Sequence, residues 1–231
     1  MRAARSARSK STAFLEWFEA LREIGTGQGD GLFPWIAEDA TLEEMRWFLT
    51  QEAAGEAGFE DLVALTQVRF PTRAKLEMAR NYWDEMGRGH ERGMHGLMLH
   101  AVVRELDLRP AVTTTVWEAL ALSNLMAALA CNRFYAYQSI GALGAIEMTA
   151  PGRVAQVNAG LKRLNAPEEA RTYFQLHAGL DIKHSKAWNE EIIAPLVRDN
   201  PETARPIAEG ALMRLAGGAR CFKRYRAHFG L

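Results

Sequence analysis

The sequence predicts an all-α protein, a single helical domain of about seven or eight helices. Three observations predict it. Apolar residues recur at helical spacing through nearly all of the 231 residues, no segment alternates convincingly with the period of a half-buried strand, and helix-start signals punctuate the chain. The length suits one large domain with a substantial core, and 48% hydrophobic with 24% charged residues is ordinary for a soluble globular protein.

The elements follow in order. Residues 1–10, with Arg2, Arg5, Arg8 and Lys10 and no acid, read as a disordered basic tail, and residues 11–231 as the helical domain. A first helix over 11–24 places Phe14, Phe18 and Leu21 on one face. The glycine-rich run 25–31 is a turn rather than a phosphate cradle, since no strand precedes it and no Gly-Lys-Ser/Thr follows. Thr41 and Glu44 have capping-box spacing and open a helix expected to reach about Val68. Helices are predicted over 71–87 and 91–107, then a long apolar one over 113–148, weakened at Gly141 and Gly144 and limited by Pro151. Asn165 and Glu168 mark the start of a helix over 167–197, kinked near Pro195, and Asn200-Pro201 precedes a last helix over 202–229.

Charge excludes two function classes. The 28 basic and 28 acidic side chains cancel, leaving no global field to draw in nucleic acid or an anionic membrane. No uncharged run approaches the ~20 residues of a membrane span. The apolar stretch 13–21 is interrupted by Glu16 and Glu19 and lacks the cleavage site of a secretory signal. Two cysteines, Cys131 and Cys221, make no disulfide framework, so a cytoplasmic protein is expected.

Four segments carry candidate chemistry. In LHAGLDIKHSKAW, residues 176–188, His177, Asp181 and His184 stand at i, i+4 and i+7, within about 60° of helix circumference. Two imidazoles and a carboxylate so converged suit iron, manganese or zinc; a hydrogen-bonded His–Asp–His network is the plainer alternative. In residues 81–100, Glu85 and His95 lie ten apart, Glu91 and His95 have the spacing of a surface pair, and His90 and His100 read as exposed or core histidines. Glu147 ends the apolar run GALGAIE, where a carboxylate must protonate or find a cation, a lysine or arginine included. Glu52, Glu56 and Glu60 repeat every four residues, usually a solvated stripe, but small residues and Phe48, Leu49 and Phe59 around them favour one of the three facing inward. Carboxylates and histidines from four helices are what carboxylate-bridged di-metal sites in bundle cores use, although the spacing is not the ferritin-like pair of Glu-x-x-His motifs.

These segments resemble the heme-oxygenase-like diiron oxidases and oxygenases, a branch of the superfamily that includes TenA-type thiaminases and PQQ-synthesis oxidases. The similarity runs over residues 29–188: GDG-x-x-P at 29–34, FLTQE at 48–52, DEMGRG at 84–89 with His95, GALGAIE at 141–147 and HAGLDIKH at 177–184, the last being the most specific. The resemblance implies Glu85 as a bridging metal ligand, His95 as a terminal ligand, Glu147 as a carboxylate ligand, and His177, Asp181 and His184 completing the set. It also implies a further glutamate, Glu52 or Glu56, with Glu60 less favoured.

By the same resemblance, the cofactor is two iron ions, with manganese as the alternative, and O2 is the cosubstrate. The O2 would be reduced to a bridging peroxide that oxidises a small molecule, amino-acid-derived or fatty-acid-like. An external electron donor and a homodimer are expected, and Arg133, Tyr135, Tyr137 and Lys183 are candidates for holding a polar substrate. The chain departs from two relatives. Glu147 stands where TenA-type hydrolases carry their nucleophilic cysteine, and residues 11–24 contain no histidine to hold heme. A metal-free TenA-type hydrolase using Cys131, and a non-catalytic helical binding protein, remain as other readings.

Overall fold

A computed structural model describes residues 2–56 and 58–231, with side chains from residue 11 onward. Among the described residues, eleven α-helical segments follow one another: α1 (Arg2–Ile24), α2 (Leu32–Glu38), α3 (Leu42–Gly55), α4 (Phe59–Thr66), α5 (Thr72–Glu85), α6 (His95–Glu105), α7 (Trp117–Cys131), α8 (Ala136–Arg163), α9 (Glu168–Ala187), α10 (Ala194–Asp199) and α11 (Ala204–Phe229). The β structure described is a single antiparallel bridge between Met86 and Met94. No described helix is long and apolar enough to cross a membrane.

The number exceeds seven or eight because expected long helices are divided and a short one, α2, is added. The helix expected over 41–68 begins as predicted: Thr41 Oγ1 accepts from the Glu44 N–H at 3.3 Å while Glu44 accepts from the Thr41 N–H at 2.8 Å. It stops after Gly55, and Gly58 adopts φ +69°, a left-handed conformation that interrupts helical bonding before α4. The α1 helix starts at Arg2, so the segment expected as a tail is continuous with it; the basic side chains behind that reading lie outside the described ones. Asn165 does not cap α9. It takes φ +55° just beyond α8, a conformation asparagine tolerates, and Pro167 precedes the first turn of α9 instead.

The expected helix over 113–148 is broken elsewhere than at its glycines. It ends at Cys131, where the Asn132 side chain accepts from the Phe134 N–H at 3.0 Å, and α8 then runs unbroken through Gly141, Gly144 and Pro151. The glycines are contact points. A Cβ on Gly141 would overlap the carbonyl of Ile207, one on Gly210 would overlap that of Gln138, and one on Gly144 would lie 2.8 Å from Trp188. Backbone-to-backbone packing of α8 on α11, and close packing of α8 on α9, carries the helix past the one hydrogen bond that Pro151 removes.

Pro195 acts as expected in kind, but the distortion lies just before it. The turn Trp188–Ile193 is π-helical and joins α9 to α10 without a break. Trp188, fully buried, donates to the Ile140 carbonyl at 3.1 Å and fixes the end of α9 against α8. Two apolar clusters form the core, and α8 contributes to both. One gathers residues such as Phe18, Met78, Leu143 and Ile192, the other Ile36, Phe48, Leu161 and Tyr225. A cavity lined by residues of both clusters lies between them.

Candidate metal centre

The first candidate pair depends on a turn. α5 ends at Glu85 and α6 begins at His95, and the nine residues between fold back through the Met86–Met94 bridge. Gly87 and Gly89 take φ +62° and +82°, and the backbone of Gly93 packs so closely on Gly87 that no side chain fits there. Glu85 Oε2 thereby comes within 2.7 Å of His95 Nδ1. Glu91, the expected surface partner of His95, is exposed, as are His90 and His100.

α9 supplies the rest of that group. His177 Nδ1 lies 2.7 Å from the Tyr173 carbonyl of its own helix, which fixes the proton on Nδ1 and leaves the Nε2 lone pair facing inward. That Nε2 stands 2.8 Å from His95 Nδ1 and 3.6 Å from Glu85 Oε2. About two helical turns further on, His184 Nδ1 lies 3.5 Å from Glu85 Oε1 and 3.6 Å from Glu147 Oε2. Asp181, between the two histidines, lines the same cavity. Two groups result, Glu85/His95/His177 and Glu85/Glu147/His184, each with its donor atoms within 4.8 Å of one another. Glu85 belongs to both, one oxygen to each.

Behind each imidazole stands an acceptor, of which sequence reasoning named only Glu56, and that as a metal ligand. Glu56 Oε1 is 3.2 Å from His95 Nε2, and the Tyr173 hydroxyl is 3.1 Å from the same nitrogen. Asp84 Oδ2 is 3.2 Å from His184 Nε2, and Asn81 Nδ2 donates to Glu147 Oε1 at 2.5 Å. Carboxylates or carbonyls on the far nitrogen are how metal-binding histidines are oriented. Glu56 is therefore placed behind a histidine, not beside Glu85. Glu52, one turn earlier on α3, is not brought to the cluster: its Oε1 accepts from the Tyr225 hydroxyl at 2.9 Å. Glu60 lies against Gly96 with one buried oxygen lacking a hydrogen bond. Asp84 and Asn81 lie one and four residues before Glu85 at the end of α5, and their roles had no signal beyond that proximity.

The charges are balanced by protons in the metal-free protein. Burial opposes a charge on His95, but Glu56 and Glu85 hold its pKa well above the usual value. Burial likewise opposes a charge on Glu85, yet the His177 and His95 imidazoles beside it keep it ionised well below the ordinary carboxylate range. Burial, then the charges of Glu147 and Glu85, push Asp181 up to about 9. For His184 burial works downward, and the Glu147 carboxylate and Asp84 raise it to about 9.

The donors fit a transition metal. Glu85, His95, Glu147, His177, Asp181 and His184 are only 2–6% exposed, yet Glu85 Oε2 and His184 Nδ1 have no hydrogen-bond partner. Buried atoms left so cost about 1–3 kcal/mol each, and a cation between them removes that cost. Imidazole with carboxylate suits iron or manganese.

The other candidates stand elsewhere. Arg133 donates to the Thr66 carbonyl at 2.9 Å, Tyr137 packs on Phe70, and neither lines the cavity, nor do Tyr135 and Lys183. Cys131 is exposed at the end of α7 and does not line the cavity. Cys221 does, but burial and the charge of Glu52 push its thiol up to about 12, far from a nucleophilic thiolate. Replacing both cysteines by alanine is expected to leave metal loading and turnover within about twofold of the parent, the range of a surface and a small core change. Abolished turnover in a folded Cys131→Ala/Cys221→Ala protein would restore the thiol-hydrolase reading.

Residues 46–219 match the family described as iron-containing redox enzyme. No curated protein matches the chain. Among solved structures, a CADD-like protein of unknown function from Nostoc punctiforme PCC 73102 is similar at TM-score 0.72 and 14% identity, covering 95% of this chain and 98% of that one. A second structure of that protein gives TM-score 0.67 and 16% identity over 95% and 96%. A domain of unknown function with a heme oxygenase-like fold from Shewanella denitrificans OS217 is similar at TM-score 0.63 and 14% identity, over 96% and 91%. At these identities the likeness speaks for a heme oxygenase-like fold.

Proposed function

Because this chain belongs to the family of iron-containing redox enzymes, we propose that it holds two iron ions among α5, α6, α8 and α9 and uses them with O2 to oxidise a small organic molecule. One observation carries the reading. The two oxygens of Glu85 face two different histidine groups, His95 with His177 and His184 with Glu147, as a carboxylate shared by two ions requires. Iron bound there would supply the electrons and Lewis acidity that O2 activation needs.

The chain's own groups would hold the ions and orient the ligands. Glu56 and Asp84 fix the imidazole planes of His95 and His184, the Tyr173 carbonyl fixes that of His177, and Asn81 orients Glu147. Asp181 faces both Glu147 and Glu85 and adds the remaining carboxylate. The apolar wall of the cavity keeps bulk water from this cluster.

Anaerobic titration with Fe(II) is expected to saturate at about two ions per chain, the stoichiometry of carboxylate-bridged pairs; saturation at one would overturn the diiron reading. Loading should also release protons. His95 and His184, raised above the ordinary histidine value, and Asp181, raised to about 9, hold protons at pH 7 that a metal must displace. Affinity is therefore expected to rise as pH increases from about 6 to 8, most of the rise preceding the pKa near 9. Calorimetry with Mn(II) in two buffers of different ionisation enthalpy reads the protons directly. A heat independent of buffer would remove these groups from the ligand set.

A further inference from the structure

The cavity beside the metal centre has a second polar end that the cluster does not use. Its volume is about 170 Å³, and its lining runs from Glu85, His95 and Glu147 to Glu52, Arg153 and Arg214. Along α8, Arg153 lies six residues past Glu147, about 9 Å of helical rise. Along α3, Glu52 lies one turn from Glu56, which touches His95. The two ends are therefore separated, and Ile146, Val154, Leu122 and Met126 are among the apolar residues that line the space.

The charge at the far end does not balance. Arg153 donates to Thr149 Oγ1 at 2.6 Å and lies over the Phe33 and Phe222 rings at 5.8 and 5.3 Å. Arg214 has a buried Nε with no hydrogen-bond partner. Among the described residues neither guanidinium makes an ion pair. Two carboxylates act on Arg214, but Glu56 is paired with His95 and only Glu52 is left; it already accepts from Tyr225 and faces the cavity with much of its side chain accessible. Two guanidiniums against one carboxylate leave a net positive charge deep in the protein, costly unless an anion joins them. Burial, and the neighbouring Arg214 charge, lower Arg153 to about 9. A guanidinium fork matches a carboxylate in shape as well as charge.

We propose that the substrate is a carboxylate with an apolar stem, its carboxylate held by Arg153 and Arg214 and its remote carbons lying beside the Glu85 cluster. This rests on the reading of that cluster as the oxidising centre. It assigns the carboxylate to the end of the cavity opposite the metals, so the acid group anchors and the stem is presented. Glu52 sits where an α-ammonium group would also be received, so a free acid and an α-amino acid share this chemistry.

Binding of octanoate, 2-aminooctanoate and 1-octanol, by calorimetry on the metal-free and the Mn(II)-loaded chain, tests it. Octanoate or 2-aminooctanoate is expected to bind about 10- to 100-fold more tightly than 1-octanol, the worth of hydrogen bonds to a charged group. The tighter of the two distinguishes the acid from the amino acid. Arg214→Gln and Arg153→Gln should each remove most of that advantage and leave 1-octanol binding unchanged, while Arg214→Lys, which keeps the charge, should retain part of it. Carboxylates that bind no better than 1-octanol, or that ignore both substitutions, would overturn the proposal. Iron titration of the same variants separates the two readings. Two ions bound without carboxylate preference sinks only the substrate assignment, and carboxylate preference without two ions sinks only the diiron centre.

Discussion

Replacing Glu85 with alanine is expected to reduce iron loading from about two ions per chain to background, more than any other single change in the site. The reason is its position. Glu85 alone belongs to both donor groups, with Oε2 at 2.7 Å from His95 and Oε1 at 3.5 Å from His184. Without it His95 and His177 keep two nitrogens, Glu147 and His184 keep one oxygen and one nitrogen, and neither remnant can share charge with the other. Glu85→Gln should fail as well, because the amide keeps the volume but loses the charge that offsets two cations. His184→Ala removes a donor from one group only, so loading should fall to about one ion, and Asp181→Ala should weaken loading without abolishing it. His228→Ala is the control: its ring stacks on Trp47 at 3.7 Å, outside the cluster, and loading should be normal. The measurement is anaerobic titration, with circular dichroism confirming that each variant is folded. Two tightly bound ions in Glu85→Ala would mean that the shared carboxylate does not organise the centre.

Some of this was legible in the chain and some was not, for physical reasons. His177, Asp181 and His184 were readable because one helix fixes their relative directions, and α9 presents them to one cavity. Glu85 and His95 were not readable from periodicity. They meet through a glycine turn whose geometry depends on left-handed residues at 87 and 89, and resemblance rather than spacing pointed to them. Glu56 against Glu52 stayed open because both lie on the inner side of α3. Only the packing of α6 and α11 decides that the first meets His95 and the second meets Tyr225. Asp84, Asn81 and Tyr173 act through contacts between helices, which leave no periodic trace. The same holds for Arg153 and Arg214, which come from α8 and α11 and meet only once the bundle closes. Pro151 and the glycines of α8 misled the reading of helix ends because local propensity favours a break, whereas tertiary burial outweighs it.

Those glycines give the largest effect expected on the fold itself. Gly141→Ala should destabilise the chain by about 3 kcal/mol, the upper end of ordinary overpacking, and Gly210→Ala by a similar amount. Alanine elsewhere in a helix is about 0.5–1 kcal/mol better than glycine, so propensity alone predicts the opposite sign. The packing decides. A methyl at 141 would overlap the carbonyl of Ile207 and a methyl at 210 that of Gln138, both backbone atoms that no rotamer change can move. α8 and α11 must separate at their crossing, and α8 carries Glu147 six residues further along, so iron affinity should fall with stability. Gly152→Ala, where nothing lies within 4 Å of the added methyl, should instead stabilise slightly. Because Gly141 and Gly210 serve one crossing, separation forced by the first methyl makes room for the second. The double variant should therefore lose clearly less than the sum of the two single losses. Urea unfolding midpoints of the four proteins against the parent measure this. A stabilised Gly141→Ala, or strictly additive losses, would mean that α8 and α11 do not meet through their backbones.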